Sequence, residues 1–87
     1  MQVNDVITFM VENSGATYNG ASEVLGKSRE YVRQAATTRR GPALATTADV
    51  ADVCGYDVLI RERRTGSEAV ITPPRREGAG DPGDAAR

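Results

Sequence analysis

Lys27, Arg29, Arg33, Arg39 and Arg40 fall within residues 27–41, a stretch whose only acid is Glu30, so its local net charge is +4. Guanidinium and ammonium groups at this density bind anions through charge-assisted hydrogen bonds to phosphate or carboxylate oxygens. The blander alternative is a solvated charged face. Reactive chemistry is scarce elsewhere. The chain has no histidine, which excludes Ser-His-Asp and Cys-His nucleophiles and any histidine-containing metal site. Cys54 is the single cysteine, so neither an internal disulfide nor a CxxC pair can form, which fits a reducing compartment. The carboxylates are scattered, with no phosphate-cradling glycine loop or metal-ligand spacing to organise them. We therefore expect no enzyme, no cofactor and no metal.

The elements that position the basic segment must come from a short chain. Its 87 residues suffice for one domain with a small, mostly aliphatic core. The overall charge of -1 hides an uneven distribution, with residues 1–26 at -3 and residues 42–74 at -2. A compact basic segment on a near-neutral protein suggests a local anionic partner rather than general adhesion to polyanions. No apolar run approaches the ~20 residues of a membrane span, and the start lacks a signal-peptide pattern, so a soluble, cytoplasmic protein is expected.

Val3, Val6, Ile7, Met10 and Val11 recur at i, i+3, i+4, i+7 and i+8, one stripe of a helix that begins near Asn4 or Asp5 and stops at Gly15. Thr17 is placed to cap a second helix in which Ala21, Ser22 and Leu25 share a face before Gly26. Ser28 can cap a third through its side-chain oxygen, with Glu30 complementing the helix dipole. Val32, Ala35 and Ala36 form its apolar side, while Arg29, Glu30, Arg33 and Gln34 point elsewhere. Two short helices joined at Gly26-Lys27 make a helix-turn-helix pattern. Thr37 to Pro42 reads as a loop; Leu44, Thr47, Ala48, Ala51 and Cys54 then mark a fourth helix, closed by Gly55. Cys54 reads as core, because a buried free cysteine behaves as a small hydrophobe.

Tyr18 to Ala36, extended to about Tyr56, resembles the helix-turn-helix of the Cro and phage-repressor (lambda repressor-like) family. Ser22, Gly26 and Val32 match that family's small residue, turn glycine and branched apolar residue. Ala21, Leu25 and Ala35 match the adjoining core, and Cys54-Gly55-Tyr56 is similar to its Leu-Gly-aromatic ending. Ser22 stands where alanine is usual, and Tyr18 where glutamine usually opens the second helix. The resemblance implies double-stranded DNA as the partner and residues 28–36 as the recognition helix. Side chains near the start of such a helix reach base edges, which gives base reading to Arg29, Glu30, Arg33 and Gln34. Arg29 suits guanine, Glu30 suits cytosine N4 or merely holds Arg29 or caps the helix, Arg33 is divided between base and phosphate, and Gln34 suits adenine. Phosphate contacts then go to Lys27, Ser28, Thr37, Thr38, Arg39 and Arg40, which position the protein without reading sequence.

Beyond the helical residues 1–55, Tyr56, Val58 and Ile60 alternate with Asp57, Leu59 and Arg61, and residues 69–72 form a second β-prone run. With Arg64-Thr65-Gly66-Ser67 as the turn, a hairpin over 56–72 is expected. An isolated hairpin is marginal, so it must pack on its own helices or pair its edge across a two-fold axis to build a homodimer. Residues 73–87 form a tail that starts with two prolines, and its charged, aperiodic stretch from Arg75 is expected to be disordered. The fold class is thus a mainly α, small helix-turn-helix domain of about four helices with a C-terminal β-hairpin and a disordered tail. The expected function is a sequence-specific, dimeric transcriptional repressor reading an inverted repeat. The alternatives are an antitoxin that also binds a toxin protein, and a protein-binding module that keeps the fold.

Overall fold

The structure, a computed structural model, describes residues 1–74; the expected disorder from Arg75 onward lies outside them. A 3-10 turn (Val3–Asp5) leads into α1 (Val6–Ser14), α2 (Tyr18–Val24), α3 (Tyr31–Ala36) and α4 (Leu44–Cys54), followed by β1 (Val58–Arg61) and β2 (Glu68–Ile71). The chain is mainly helical with a terminal antiparallel hairpin. Among the described residues no helix is long and apolar enough to cross a membrane.

The core joins Ile7, Met10 and Val11 of α1 to Ala21 and Leu25, Val32 of α3, and Val50 and Ala51 of α4. Ile7, Val32 and Val50 are fully buried, each worth ~1.5–3 kcal/mol against exposure. Helix α4 meets α1, α2 and β1. Being covered from several directions, it buries five consecutive residues, Thr47 to Ala51. A single helical stripe would have left Val50 out, and Leu44, expected on that stripe, is 58% exposed. Val3, in the 3-10 turn, is also largely exposed, although it lines an open crevice together with Val6.

Helix α2 starts and ends as its sequence requires. Thr17 Oγ1 accepts the Gly20 amide at 2.9 Å. At the other end, Lys27 N–H reaches Ser22 O at 3.0 Å and Gly26 N–H reaches Glu23 O at 2.9 Å. That closure needs a left-handed residue, and Gly26 has φ of 71°.

Helix α3 is shorter than expected. It begins at Tyr31 rather than Ser28, preceded by a turn in which Tyr31 N–H bonds Ser28 O at 3.1 Å. Ser28 supplies no side-chain cap, and neither does Glu30 at the N-cap position. The missing acceptor comes from another helix. Ser22 Oγ, fully buried, accepts Val32 N–H at 3.0 Å and donates to Tyr18 O at 2.8 Å. Ser22 thus satisfies a donor that the first turn of α3 leaves orphaned.

The hairpin pairs Val58 with Ile71, Leu59 with Val70, Ile60 with Ala69 and Arg61 with Glu68. Its turn spans Glu62 to Ser67, wider than the expected four residues: Glu62 N–H bonds Ser67 O, and Gly66 N–H bonds Glu62 O, both at 2.8 Å. Only Val58 and Ile71 among the strand residues are half-buried; the others face solvent. Directly opposed residues share a face, so Ile60 and Ala69 lie on one side and Leu59 and Val70 on the other. The hairpin therefore leans on the helices by its base and presents apolar side chains from both faces.

Candidate functional site

Every charged residue of the basic segment is exposed: Lys27, Arg29, Glu30, Arg33, Arg39 and Arg40. The backbone beneath them is fixed from behind. Val32 locks α3 into the core, the Ser22 hydroxyl ties its second amide to α2, and Tyr31 Oη lies 3.2 Å from Thr46 Oγ1 of α4. A rigid support of this kind lets exposed side chains keep their relative positions.

The ion pairs among the described residues are Arg33–Glu30 at 3.7 Å, Arg61–Glu68 at 3.0 Å and Arg64–Glu62 at 3.3 Å. Lys27, Arg29, Arg39 and Arg40 make none of these, so no carboxylate among the described residues pairs with them. Glu30 pairs with Arg33 rather than holding Arg29, which corrects one expected role. Its i,i+3 spacing within the opening turn of α3 brings the two together.

Two tyrosines complete the arrangement, and neither was among the residues expected to contribute. The Arg33 guanidinium carbon lies 5.1 Å from the centroid of the Tyr18 ring. Lys27 Nζ lies 5.3 Å from that of Tyr31. Both distances are within cation–π range. The Lys27–Tyr31 spacing of four residues was a legible signal in the sequence. Tyr18 and Arg33 are joined only by the packing of α2 on α3.

Thr37 and Thr38 have a different duty from the phosphate contact expected of them. Thr37 Oγ1 donates to the Arg33 and Gln34 carbonyls, each at 3.2 Å, and Thr38 Oγ1 donates to Gln34 O at 2.9 Å. Their protons close the C-terminus of α3, adding to the Thr37 N–H, which also reaches the Arg33 and Gln34 carbonyls at 3.2 Å. The loop after them is held by Asn4, whose Nδ2 donates to Arg39 O at 2.6 Å and Thr38 O at 3.4 Å. Arg39 and Arg40 are thereby carried on a pinned backbone while their side chains reach solvent. Sequence spacing offered no sign of this contact across 35 residues.

On the other flank, Asn19, Gly20 and Glu23 of α2 line an open crevice of about 400 Å³ together with Lys27 and Arg29. Asn19 Oδ1 is buried and has no hydrogen-bond partner among the described residues. Gln34 is exposed on α3, and Ser28 is exposed with no side-chain cap to make. The structure thus places Lys27, Ser28, Arg29, Glu30, Arg33 and Gln34 on α3 and the turn before it, and Arg39 and Arg40 just beyond its end. No group of three or more histidine, cysteine, aspartate or glutamate residues among the described residues is arranged to hold a metal ion. Such a surface can recognise a polyanion by charge and a flat polar edge by hydrogen bonds. No family model, curated protein or solved structure matches this chain.

Proposed function

We propose that this protein is a sequence-specific DNA-binding regulator of the repressor type, with α3 and the turn before it entering the major groove. One observation carries the reading: four exposed cations without ion pairs flank a short helix that is braced from behind by Val32, Ser22 and Tyr31. A duplex offers the complementary pattern, with phosphates along both walls of the groove and a distinct donor and acceptor code on its floor. Arg29, Glu30, Arg33 and Gln34 face the floor in this docking. Lys27, Ser28, Arg39 and Arg40 face the walls. Thr37 and Thr38 act behind them by holding the end of α3.

Six residues of helix span only about 9 Å, enough for a few base pairs. Useful specificity therefore needs two copies about 34 Å apart, reading an inverted repeat. The hairpin supplies a place for the second copy, since Leu59, Ile60 and Val70 are exposed at 41%, 62% and 55%. The same exposed residues also suit an antitoxin that grips a second protein. A stoichiometric partner co-purifying with the chain would favour that reading.

Selection of bound sequences from a random duplex pool tests the proposal. The expected result is a two-fold inverted repeat. Recovery of unselected sequence, with equal affinity for random and enriched DNA, would reject it. Within that assay Arg40→Ala should weaken all sequences alike and reduce the salt slope by about 0.9 for a single lost phosphate contact.

A further inference from the structure

We infer that Tyr18 determines specificity by holding Arg33 as a fork for guanine. The inference rests on the DNA-binding reading above and assigns Arg33, rather than Arg29 alone, the base whose identity matters most. A guanidinium has two flat faces, one Nε edge and one terminal pair of Nη groups. In this structure the guanidinium carbon lies over the Tyr18 ring, 5.1 Å from its centroid. Nε lies 3.7 Å from Glu30 Oε1, a distance of an ion pair without a hydrogen bond. Arg33 makes no other ion pair among the described residues, which leaves the Nη pair open. Those two parallel donors match guanine O6 and N7 in the major groove.

The platform itself is fixed. Tyr18 is half-buried against the core, its hydroxyl reaches Thr8 Oγ1 at 3.4 Å, and its carbonyl accepts the Ser22 hydroxyl at 2.8 Å. A long arginine side chain ordinarily loses much rotamer freedom when it binds. Here the cation–π contact and the ion pair favour one arrangement beforehand, so the arginine meets the duplex with part of that cost already met. Lysine could not replace it, having neither a planar face to stack nor a bidentate edge. Tyr18 is a positioning residue in this scheme. Its useful part is the ring, and the hydroxyl serves only to anchor it.

The test measures affinity for the selected site, for the same site with the guanine replaced, and for random duplex. Arg33→Lys and Tyr18→Leu should each reduce discrimination at one position about tenfold or more, and their loss on the selected site should exceed that on random DNA by the same factor. Tyr18→Phe, which keeps the ring, should retain the discrimination of the unaltered chain. Arg33 is exposed, so Arg33→Lys gives the readout even if Tyr18→Leu fails to fold. Equal losses on all sequences for Arg33→Lys would make Arg33 a phosphate contact and overturn the inference while leaving DNA binding intact. So would a folded Tyr18→Leu variant with unchanged base preference. A chain that enriches no sequence at all would instead remove the reading on which the inference stands.

Discussion

Replacing Ser22 with alanine isolates the hydrogen bond from α3 to α2, the one between the two helices among the described residues. Ser22 is fully buried, and its Oγ is the acceptor for Val32 N–H at 3.0 Å. Removing it orphans an amide that water cannot reach, a cost of about 1–3 kcal/mol. Alanine also has the better helix propensity, which returns up to about 0.5 kcal/mol. The lost bond to Tyr18 O matters less, because that carbonyl sits inside α2 and keeps its place in the helix. The net expectation is a destabilisation of about 0.5–2.5 kcal/mol. For a domain of this size that lowers Tm by roughly 4–8 °C per kcal/mol. Thermal and urea denaturation would measure it, and hydrogen exchange at the Val32 amide would show whether the loss is local. A Ser22→Ala variant as stable as the parent, with Val32 equally protected, would refute the reasoning. Small size alone would then be what the position requires.

Three further outcomes follow from other contacts. Gly26→Ala should cost about 1–2 kcal/mol from its left-handed φ alone, because an added Cβ would meet nothing within 4 Å; urea denaturation reads this, and Gly26→Asn should cost less. Asn4→Ala should lose about 0.5–1.5 kcal/mol and speed amide exchange at Gly41, whose N–H bonds Thr38 O at 3.0 Å; unchanged exchange there would show that the loop is held by other means. Ile60→Asp with Val70→Asp should alter the stability of the single chain little, since both are exposed, yet shift sedimentation equilibrium from dimer to monomer. Val24→Asp, 70% exposed on α2, is the control and should leave assembly unchanged.

Much of the local structure was legible in the sequence because it depends on short-range physics. The stop of α1 at Gly15, the Thr17 cap, the Gly26 turn, the end of α4 at Gly55 and the existence of the hairpin all follow from neighbours within a few residues. The basic character of residues 27–40 is likewise a matter of composition. Where reading along the chain went astray, a distant segment had intervened. Ser28 is a good helix cap in isolation, but α3 starts three residues later and draws its acceptor from Ser22. Glu30 was free to serve Arg29 by proximity, and the geometry of the turn directs it to Arg33.

The amino-acid sequence by itself determined where helices can begin and end, which segment carries positive charge, and that the catalytic chemistry of histidine is absent. Tertiary structure alone decided which face of α4 is buried, that Tyr18 lies beneath Arg33, that Asn4 pins the loop bearing Arg39, and that the hairpin keeps Leu59, Ile60 and Val70 in solvent. The physical reason is one of range. Capping and turn preferences act over about four residues, whereas packing joins residues whose separation along the chain carries no trace of their contact.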